Sequence, residues 1–298
     1  MDYQTFLKRF LSGVNEELPA GRTANYRKVR KTNGVLYTGL CLEMRGEKDF
    51  SPIIYMEPVY ERYCRETDLA RFVHEAVRVL MGPVRTDFST EEIMDPEYVR
   101  SHVIYRLMNT KGNEELLAAV PHRDYLDLSV TYGILLSMSD EVFGLAQISD
   151  EIAERLALTE AELYLLAKRN TEVLLGTDIK FFRDFAAQSC DVAGWPEEGL
   201  RAAAQFLVLT NRYAFFGSSI LLNGAVLKET AERLQSDYYL LPTSVHELMA
   251  VPVGVRSPGE LKTLLEAVAS DEKRPENLLT GSFYRFDRAD NALSIAGT

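Results

Sequence analysis

The stretch NYRKVRKTNGVLYTGLCLEM, residues 25–44, places Asn33-Gly34 between two extended segments. Asn-Gly in this setting is the strongest short signal of a β-hairpin, because a type I′ turn needs two residues that tolerate positive φ. We therefore predict antiparallel strands near residues 25–32 and 35–44.

Helical patterns lie on both sides of this hairpin. Apolar residues recur at steps of three and four within residues 2–18, and Pro19 then ends the helix. Thr67 is a plausible cap for a second helix, Thr159 with Glu162 forms a capping box, and Ser257 precedes Pro258 at a first helical position. Helices are predicted at residues 67–81, 96–108, 113–120, 159–175, 178–189 and 216–234, and from 258 onward.

Short apolar segments between these helices predict strands. They are residues 128–138, 141–149, 205–211 and 238–242, with a closing hairpin at 283–296. Because helices and strands mix without a regular βαβ alternation, we predict an α+β fold with antiparallel hairpins among the helices. The 298 residues fit one compact domain, 1–298, or two packed lobes, with a weak seam near residue 110 as the alternative.

The charge balance argues against a general nucleic-acid binder. The formal net charge is −11, from 33 basic and 44 acidic residues, and a negative field repels phosphates. The segment RTANYRKVRK, residues 22–31, holds five cations and no acid. Strand alternation distributes these cations around the hairpin, which favours a solvated surface; binding of a polyanion is the alternative.

Cysteine usage and hydropathy indicate a cytoplasmic protein. Cys41, Cys64 and Cys190 are widely spaced and form no CxxC pair, so neither a disulfide framework nor a thiolate zinc site is predicted. The start of the chain lacks the pattern of a secretory signal. The longest apolar stretches fall short of about 20 uninterrupted residues, so we predict no membrane span.

No cofactor or metal site is predicted. HELMA, residues 246–250, begins like a zinc-protease helix, but residue 250 is Ala where the second His ligand would stand. The chain also contains neither GxGxxG nor GxxxxGK[ST], the Gly-rich loops that bind dinucleotides and nucleotide phosphates.

The segment LPTSVHELMAVPV, residues 241–253, supplies the candidate catalytic residues Ser244, His246 and Glu247. Two residues apart on an extended strand, Ser244 and His246 face the same side, as a nucleophile and its base must. No GxSxG elbow accompanies them, and prolines 242 and 252 bracket the segment. We therefore favour a structural corner in which the hydroxyls satisfy loop amides.

A second group of candidates consists of binding residues. PHRDYLD, residues 121–127, supplies His122 and Asp127 beside Arg123 and Asp124, in a segment that otherwise indicates a surface loop or an internal ion pair. Asn109 and Asn211 end apolar segments, as Asn113 and Asn170 end or interrupt theirs. Buried amides normally satisfy main-chain groups, and ligand recognition is the alternative.

Several segments together resemble a bacterial family known as domain of unknown function 5688 and, more distantly, domain of unknown function 1444. They are KTNGVLYTGL at 31–40, SPIIYMEPVYERY at 51–63, IYRLMNTKGNEELLAAVPHRDYLDLSV at 104–130, ELYLLAKRNT at 162–171, FLVLTN at 206–211 and LPTSVHE at 241–247. The resemblance implies one shared architecture over nearly the whole chain and a bacterial cytoplasmic setting. It brings no activity.

This chain departs from the family pattern at two places. It has Thr243 where members resemble LPSSVHE, and SDEIAERL at 149–156 where they tend to carry a His and a Trp. Pro121, His122, Asp127, Ser244, His246 and Glu247 match the pattern. The leading hypothesis is a protein that binds a protein partner or a small ligand without covalent chemistry. The rival is a hydrolase-like enzyme that uses Ser244, His246 and Glu247, with His122 and Asp127 as further candidates. In that enzyme Ser244 is the nucleophile, His246 is the base and a carboxylate orients the imidazole.

Overall fold

The hairpin around Asn33-Gly34 is present in the computed structural model, which describes residues 1–43, 52–82, 95–138, 143–188 and 203–298. Strand β1 (Ala24–Arg30) pairs antiparallel with β2 (Leu36–Leu42). Asn33 and Gly34 have φ of 59° and 69°, and the Val35 N–H donates to the Thr32 carbonyl at 3.3 Å. The predicted hairpin is therefore confirmed, with shorter strands than expected.

Contacts divide the chain into two units, Met1–Thr90 and Glu91–Thr298. The first unit contains α1 (Tyr3–Glu17), β1, β2, β3 (Ile54–Tyr55), α2 (Met56–Glu66) and α3 (Leu69–Met81). Its core joins Phe6, Phe10 and Val14 of α1 with the apolar face of α3. The organisation of the chain as one domain, or with a seam near residue 110, stays a prediction.

One helix cap differs from the prediction. Asp68, and not Thr67, caps α3, since its carboxylate accepts a hydrogen bond from the Arg71 N–H at 3.0 Å. Thr67 has φ of 54° and ends α2, with its N–H bonded to the Tyr63 carbonyl. Thr67 and Asp68 are adjacent in the sequence, and the carboxylate is at least as good an acceptor as the hydroxyl.

The second unit contains a four-stranded antiparallel sheet, in which β6 is central. Its strands are β4 (Val103–Asn109), β5 (His122–Tyr125), β6 (Leu128–Met138) and β7 (Phe143–Gln147). β4 pairs with one side of β6, and β5 and β7 pair with successive parts of the other side. The accompanying helices are α4 (Pro96–His102), α5 (Glu114–Leu117), α6 (Asp150–Arg155) and α7 (Glu160–Leu175).

The predicted helix at residues 96–108 is wrong in its second half. The helix begins behind the Asp95 cap and ends at His102, and β4 begins at Val103. The segment VIYRLMN pairs along its whole length with β6, so a partner distant in sequence overrides the helical spacing. Helix α7 packs on β4, where the Thr171 hydroxyl accepts a hydrogen bond from the Tyr105 N–H at 3.3 Å.

A six-stranded antiparallel sheet completes the second unit. Its strands are β8 (Asp178–Phe181), β9 (Leu207–Thr210), β10 (Tyr238–Pro242), β11 (Leu248–Pro252), β12 (Phe283–Asp287) and β13 (Ala292–Gly297), in the spatial order β13-β12-β10-β11-β9-β8. Helices α8 (Phe182–Gln188) and α10 (Pro258–Asp271) share an apolar core with this sheet. Helix α9 (Gly224–Leu234) accepts a hydrogen bond from the Tyr238 hydroxyl at its Leu227 carbonyl.

Two further predicted helices are shorter in the structure. Residues 178–189 form β8 and then α8, and residues 216–234 form a 3₁₀ segment, Gly217–Leu222, and then α9. The Asn223 side chain caps α9 by accepting from the Val226 N–H, which restarts the helix there. The predicted capping box at Thr159 and the predicted cap at Ser257 are confirmed, and Ser257 also forms a capping box with Glu260.

The α+β class is confirmed, because the described strands pair antiparallel and alternate irregularly with helices. The predicted connection at residues 139–140 and the loop VAGWPEEG, residues 192–199, lie outside the described residues. Across the described ranges, none of the helices combines the length and the hydropathy that crossing a membrane requires.

Candidate functional site

The LPTSVHE segment forms a tight corner between β10 and β11. The Ser244 hydroxyl oxygen accepts a hydrogen bond from the His246 N–H at 3.0 Å, and the Ser244 N–H donates to the Glu247 carbonyl at 3.4 Å. The Thr243 hydroxyl donates to the same carbonyl at 3.3 Å. Such side-chain-to-main-chain bonds replace the strand ladder where the chain reverses.

The His246 imidazole packs against aromatic rings and bonds the main chain. Its Nδ1 accepts a hydrogen bond from the Phe216 N–H at 3.3 Å, and the ring centroids of Phe215 and Phe216 lie 5.1 and 5.9 Å away. Burial lowers the pKa of His246, and a hydrogen bond that the imidazole donates to the Asn277 side chain only partly opposes this. The imidazole is therefore neutral at pH 7, with its proton on Nε2.

Asn211 holds the loop that carries these two rings. Its Nδ2 donates to the Phe215 carbonyl at 2.7 Å, and its Oδ1 accepts from the N–H groups of Tyr213 and Phe215 at 3.1 and 3.3 Å. Ala214 and Phe216 have φ of 48° and 54°, in the left-handed region that non-glycine residues rarely adopt. The structure thus brings Asn211 and His246 into one network.

Glu247 does not orient the imidazole. Burial raises the pKa of its carboxyl group, and the Thr243 hydroxyl, which donates to it at 3.3 Å, partly opposes the rise. In the part of the chain that the structure describes, no hydrogen bond joins the imidazole to Ser244 Oγ or to the Glu247 carboxylate. A nucleophile, its base and an orienting acid require such bonds, so this geometry shapes a corner.

The other predicted binding residues, Asn109 and Asp127, line one cleft at the β5–β6 turn, which we call the turn cleft. Its volume is about 690 Å³, within the ordinary range for ligand sites. Its polar lining includes Asn109, Lys111, Glu114, Asp124, Asp127 and Thr280.

The two aspartates of the turn cleft have different surroundings. Asp127 accepts hydrogen bonds of 2.7 Å from the hydroxyls of Thr280 and Tyr284, which ties the β5–β6 turn to β12. Asp124 is exposed, and its carboxylate has no hydrogen bond or ion pair with any described residue. Asn109 accepts from the Lys111 N–H at 3.1 Å, which leaves its amide Nδ2 as a donor.

His122 is exposed and lies on β5, outside the turn cleft. Its Nδ1 donates to the Val120 carbonyl at 3.0 Å, so Nε2 is the ring atom left for other contacts. No hydrogen bond or ring contact joins His122 to His246 among the described residues. The adjacent Arg123 forms a two-pronged ion pair with Glu160 at 3.1 and 2.9 Å.

Sequence reasoning missed Arg106, which lies on β4 inside the segment predicted to be a helix. Its Nε donates to Thr131 Oγ1 at 3.3 Å and its Nη2 to Gln147 Oε1 at 2.5 Å. Its guanidinium carbon lies 5.5 Å from the centroid of the Phe216 ring. Burial lowers the pKa of Arg106 to about 10. The signal in the sequence was a single cation inside the strand-like run VIYRLM.

Comparison with known proteins gives one match. The model of a protein family described as Family of unknown function (DUF5688) matches residues 3–288, nearly the whole chain. No curated protein matches, and no solved structure matches. This match confirms the resemblance to domain of unknown function 5688 that was inferred from the sequence motifs.

Proposed function

This chain belongs to the Family of unknown function (DUF5688), and we propose that it reversibly binds a small polar ligand in the turn cleft, without covalent chemistry. The observation that carries the proposal is the cleft itself. Two residues singled out as binding candidates, Asn109 at the end of β4 and Asp127 in the β5–β6 turn, meet there with Asp124. We also propose a bacterial cytoplasmic setting, as the family resemblance and the cysteine spacing indicate.

The charges of the lining select the ligand. Three carboxylates, of Glu114, Asp124 and Asp127, face a single cation, Lys111. Glu114 already accepts from the Gly112 N–H, and Asp127 accepts from two hydroxyls, so Asp124 is the carboxylate with its acceptor capacity unused. An unpaired exposed carboxylate beside a cleft attracts a positively charged or hydroxyl-rich molecule.

Binding without bond cleavage is supported by the LPTSVHE corner. The atoms that an enzyme would need are both bonded to the main chain, Ser244 Oγ to the His246 N–H and His246 Nδ1 to the Phe216 N–H. Cleavage at the corner would require these bonds to break before Ser244 reached an imidazole nitrogen. The hydrolase-like alternative therefore has no geometric support of its own.

Calorimetric titration with small amines tests the proposal. The probes are a diamine, an amino sugar and a neutral sugar, each titrated into the wild-type protein. We expect at least one amine to bind, and Asp124→Asn to weaken it by roughly 10-fold, equivalent to about 1.4 kcal/mol. Asp290→Asn, on the exposed β12–β13 turn, is the matched control. If Asp124→Asn leaves every affinity unchanged, the turn cleft is not the binding site.

A further inference from the structure

Arg106 is a charged side chain whose partners among the described residues are all neutral. It donates to a hydroxyl, Thr131 Oγ1, and to an amide oxygen, Gln147 Oε1, and it stacks on the Phe216 ring. Burial is the cause that acts on the pKa of Arg106, and no carboxylate raises it. A guanidinium removed from water without a counter-ion is costly, and proteins keep such a group where it has a use.

The donors of Arg106 are only partly used. A guanidinium has five N–H donors in a planar fork, and the two hydrogen bonds to Thr131 and Gln147 occupy two of them. The remaining donors include both on Nη1. Arg106 as a whole residue is half-buried.

The neighbours of Arg106 on the same sheet face complete a polar row. Arg106 is paired across the strands with Thr131, and Thr131 with His122 on the other side of β6. Paired residues point to the same face, so the three side chains lie side by side. The strands are spaced about 4.8 Å apart, so Arg106 and His122 lie about two strand spacings apart on this face, with Thr131 between them.

Acidic groups are sparse on this face. In the described strands, the alternation places Ile104, Met108, Ser129 and Gly133 beside the row, and the strand carboxylate on this face is that of Asp124, two residues from His122. The Glu160 carboxylate, on α7, also interacts electrostatically with His122. Asp124 does not pair with Arg106, as its side chain has no described ion pair. The row therefore combines a cation, an imidazole with a free Nε2 and a hydroxyl.

We propose that Arg106, Thr131 and His122 form a binding site for an anionic group, a carboxylate or a phosphate, that nothing in the family match assigns. Both groups present two oxygens at the spacing of the guanidinium fork. The bound anion supplies the counter-ion that the protein does not. This site is separate from the turn cleft, whose carboxylates select the opposite charge.

Titration of the full chain with inorganic phosphate and with acetate tests the site and separates the two sources of anion. We expect one-to-one binding of at least one anion by calorimetry, and a loss of roughly 10-fold or more in Arg106→Met, a volume-matched neutral variant. Arg233→Met is the control, because Arg233 is exposed and paired with Glu229 on the surface of α9. It should bind as the wild type does.

A second variant keeps the test decisive if Arg106→Met does not fold. Thr131→Asp places a carboxylate where the hydroxyl now accepts from Arg106, so the internal acid should displace the anion and abolish binding. His122→Asn, on an exposed position, removes the imidazole Nε2 and should weaken binding several-fold. The proposal is overturned if neither phosphate nor acetate binds, or if the wild type and Thr131→Asp bind the anion with equal affinity.

Discussion

The Ser244 hydroxyl oxygen lies 3.0 Å from the main-chain nitrogen of His246 and accepts its hydrogen bond. The imidazole of the same His246 accepts from the Phe216 N–H, so hydroxyl and ring serve two different stretches of main chain. The Thr210 hydroxyl adds a third bond, 2.8 Å to the His246 carbonyl. The corner between β10 and β11 is thereby fastened to β9 and to the loop that follows it.

Replacing Ser244 by Ala removes one of these bonds and leaves the His246 N–H without its acceptor. We expect the free energy of unfolding to fall by about 1 kcal/mol, the usual net value of such a bond. Urea denaturation measures the change. Ser270→Ala, at an exposed position of α10, is the control and should stay within about 0.5 kcal/mol of the wild type. An unchanged urea midpoint in Ser244→Ala would contradict a structural role for the Ser244 hydroxyl.

His246 makes stability depend on pH. Because burial lowers the pKa of His246 below its ordinary value of 6.5, the unfolded chain binds the proton more tightly. The stability from this residue is complete above pH 6.5 and is lost as the pH falls through the lower, folded-state pKa. In urea denaturation between pH 7.5 and 5.5, the wild type should lose stability more steeply than His246→Asn, whose amide oxygen can replace Nδ1 as acceptor. Equal slopes would exclude this contribution.

The contribution of Glu247 to stability has the opposite pH dependence. Burial raises the pKa of its carboxyl group above 4.5, so its contribution is present at low pH and is lost as the pH rises through the raised value. Glu247→Gln keeps the acceptor for Thr243 and has no charge to bury. We expect it to be more stable than the wild type at pH 7 and equally stable near pH 4. Glu232→Gln, exposed on α9, should show no such difference.

Asp127 ties the β5–β6 turn to β12 through Tyr284, 157 residues away. Tyr284 is fully buried, and burial together with the Asp127 hydrogen bond raises the pKa of its hydroxyl. Asp127→Ala should therefore cost about 2–3 kcal/mol, the upper range for a bond to a charged group. A double-mutant cycle with Tyr284→Phe should give a coupling of about 1–2 kcal/mol. Additive changes would show that the two residues stabilise the fold independently.

Gly217 lies against both Thr210 of β9 and the His246 main chain of the LPTSVHE corner. A Cβ at this position would be 2.3 Å from the His246 carbonyl oxygen and 2.4 Å from Thr210 Oγ1. Gly217→Ala should destabilise the protein by about 1–3 kcal/mol, the cost of overpacking. Gly259→Ala in α10 meets no atom within 4 Å and should stabilise the helix by up to about 1 kcal/mol. The melting temperature should therefore fall in Gly217→Ala and rise in Gly259→Ala.

Features with all their partners close in sequence were predictable. The Asn33-Gly34 turn and the capping boxes at Thr159 and Ser257 are set by bonds within three residues, so the residue types alone indicate them. Strand β4 was not predictable in this way. Its segment has helical spacing, and only its pairing with β6, some 20 to 30 residues later, makes it a strand.

In the candidate sites, too, the features with partners close in sequence were predictable and those with distant partners were not. Residues of the LPTSVHE corner were identifiable from the sequence, but the partners that define their chemistry, Phe216 and Thr210, come from a segment about 30 residues earlier. Arg106 carried little signal, since an isolated cation in an apolar run is also common on a helix surface. Its lack of a counter-ion emerges only when the strands are paired.

Reaction with a fluorophosphonate, which phosphonylates activated serines, tests most directly whether the LPTSVHE corner is structural. Ser244 is partly exposed, so the reagent can reach it. We predict that intact-mass and peptide mass spectrometry find no adduct on Ser244 under conditions that fully label a serine hydrolase. A stoichiometric adduct on Ser244 that disappears in His246→Asn would contradict the account, since it would show that the imidazole activates the hydroxyl.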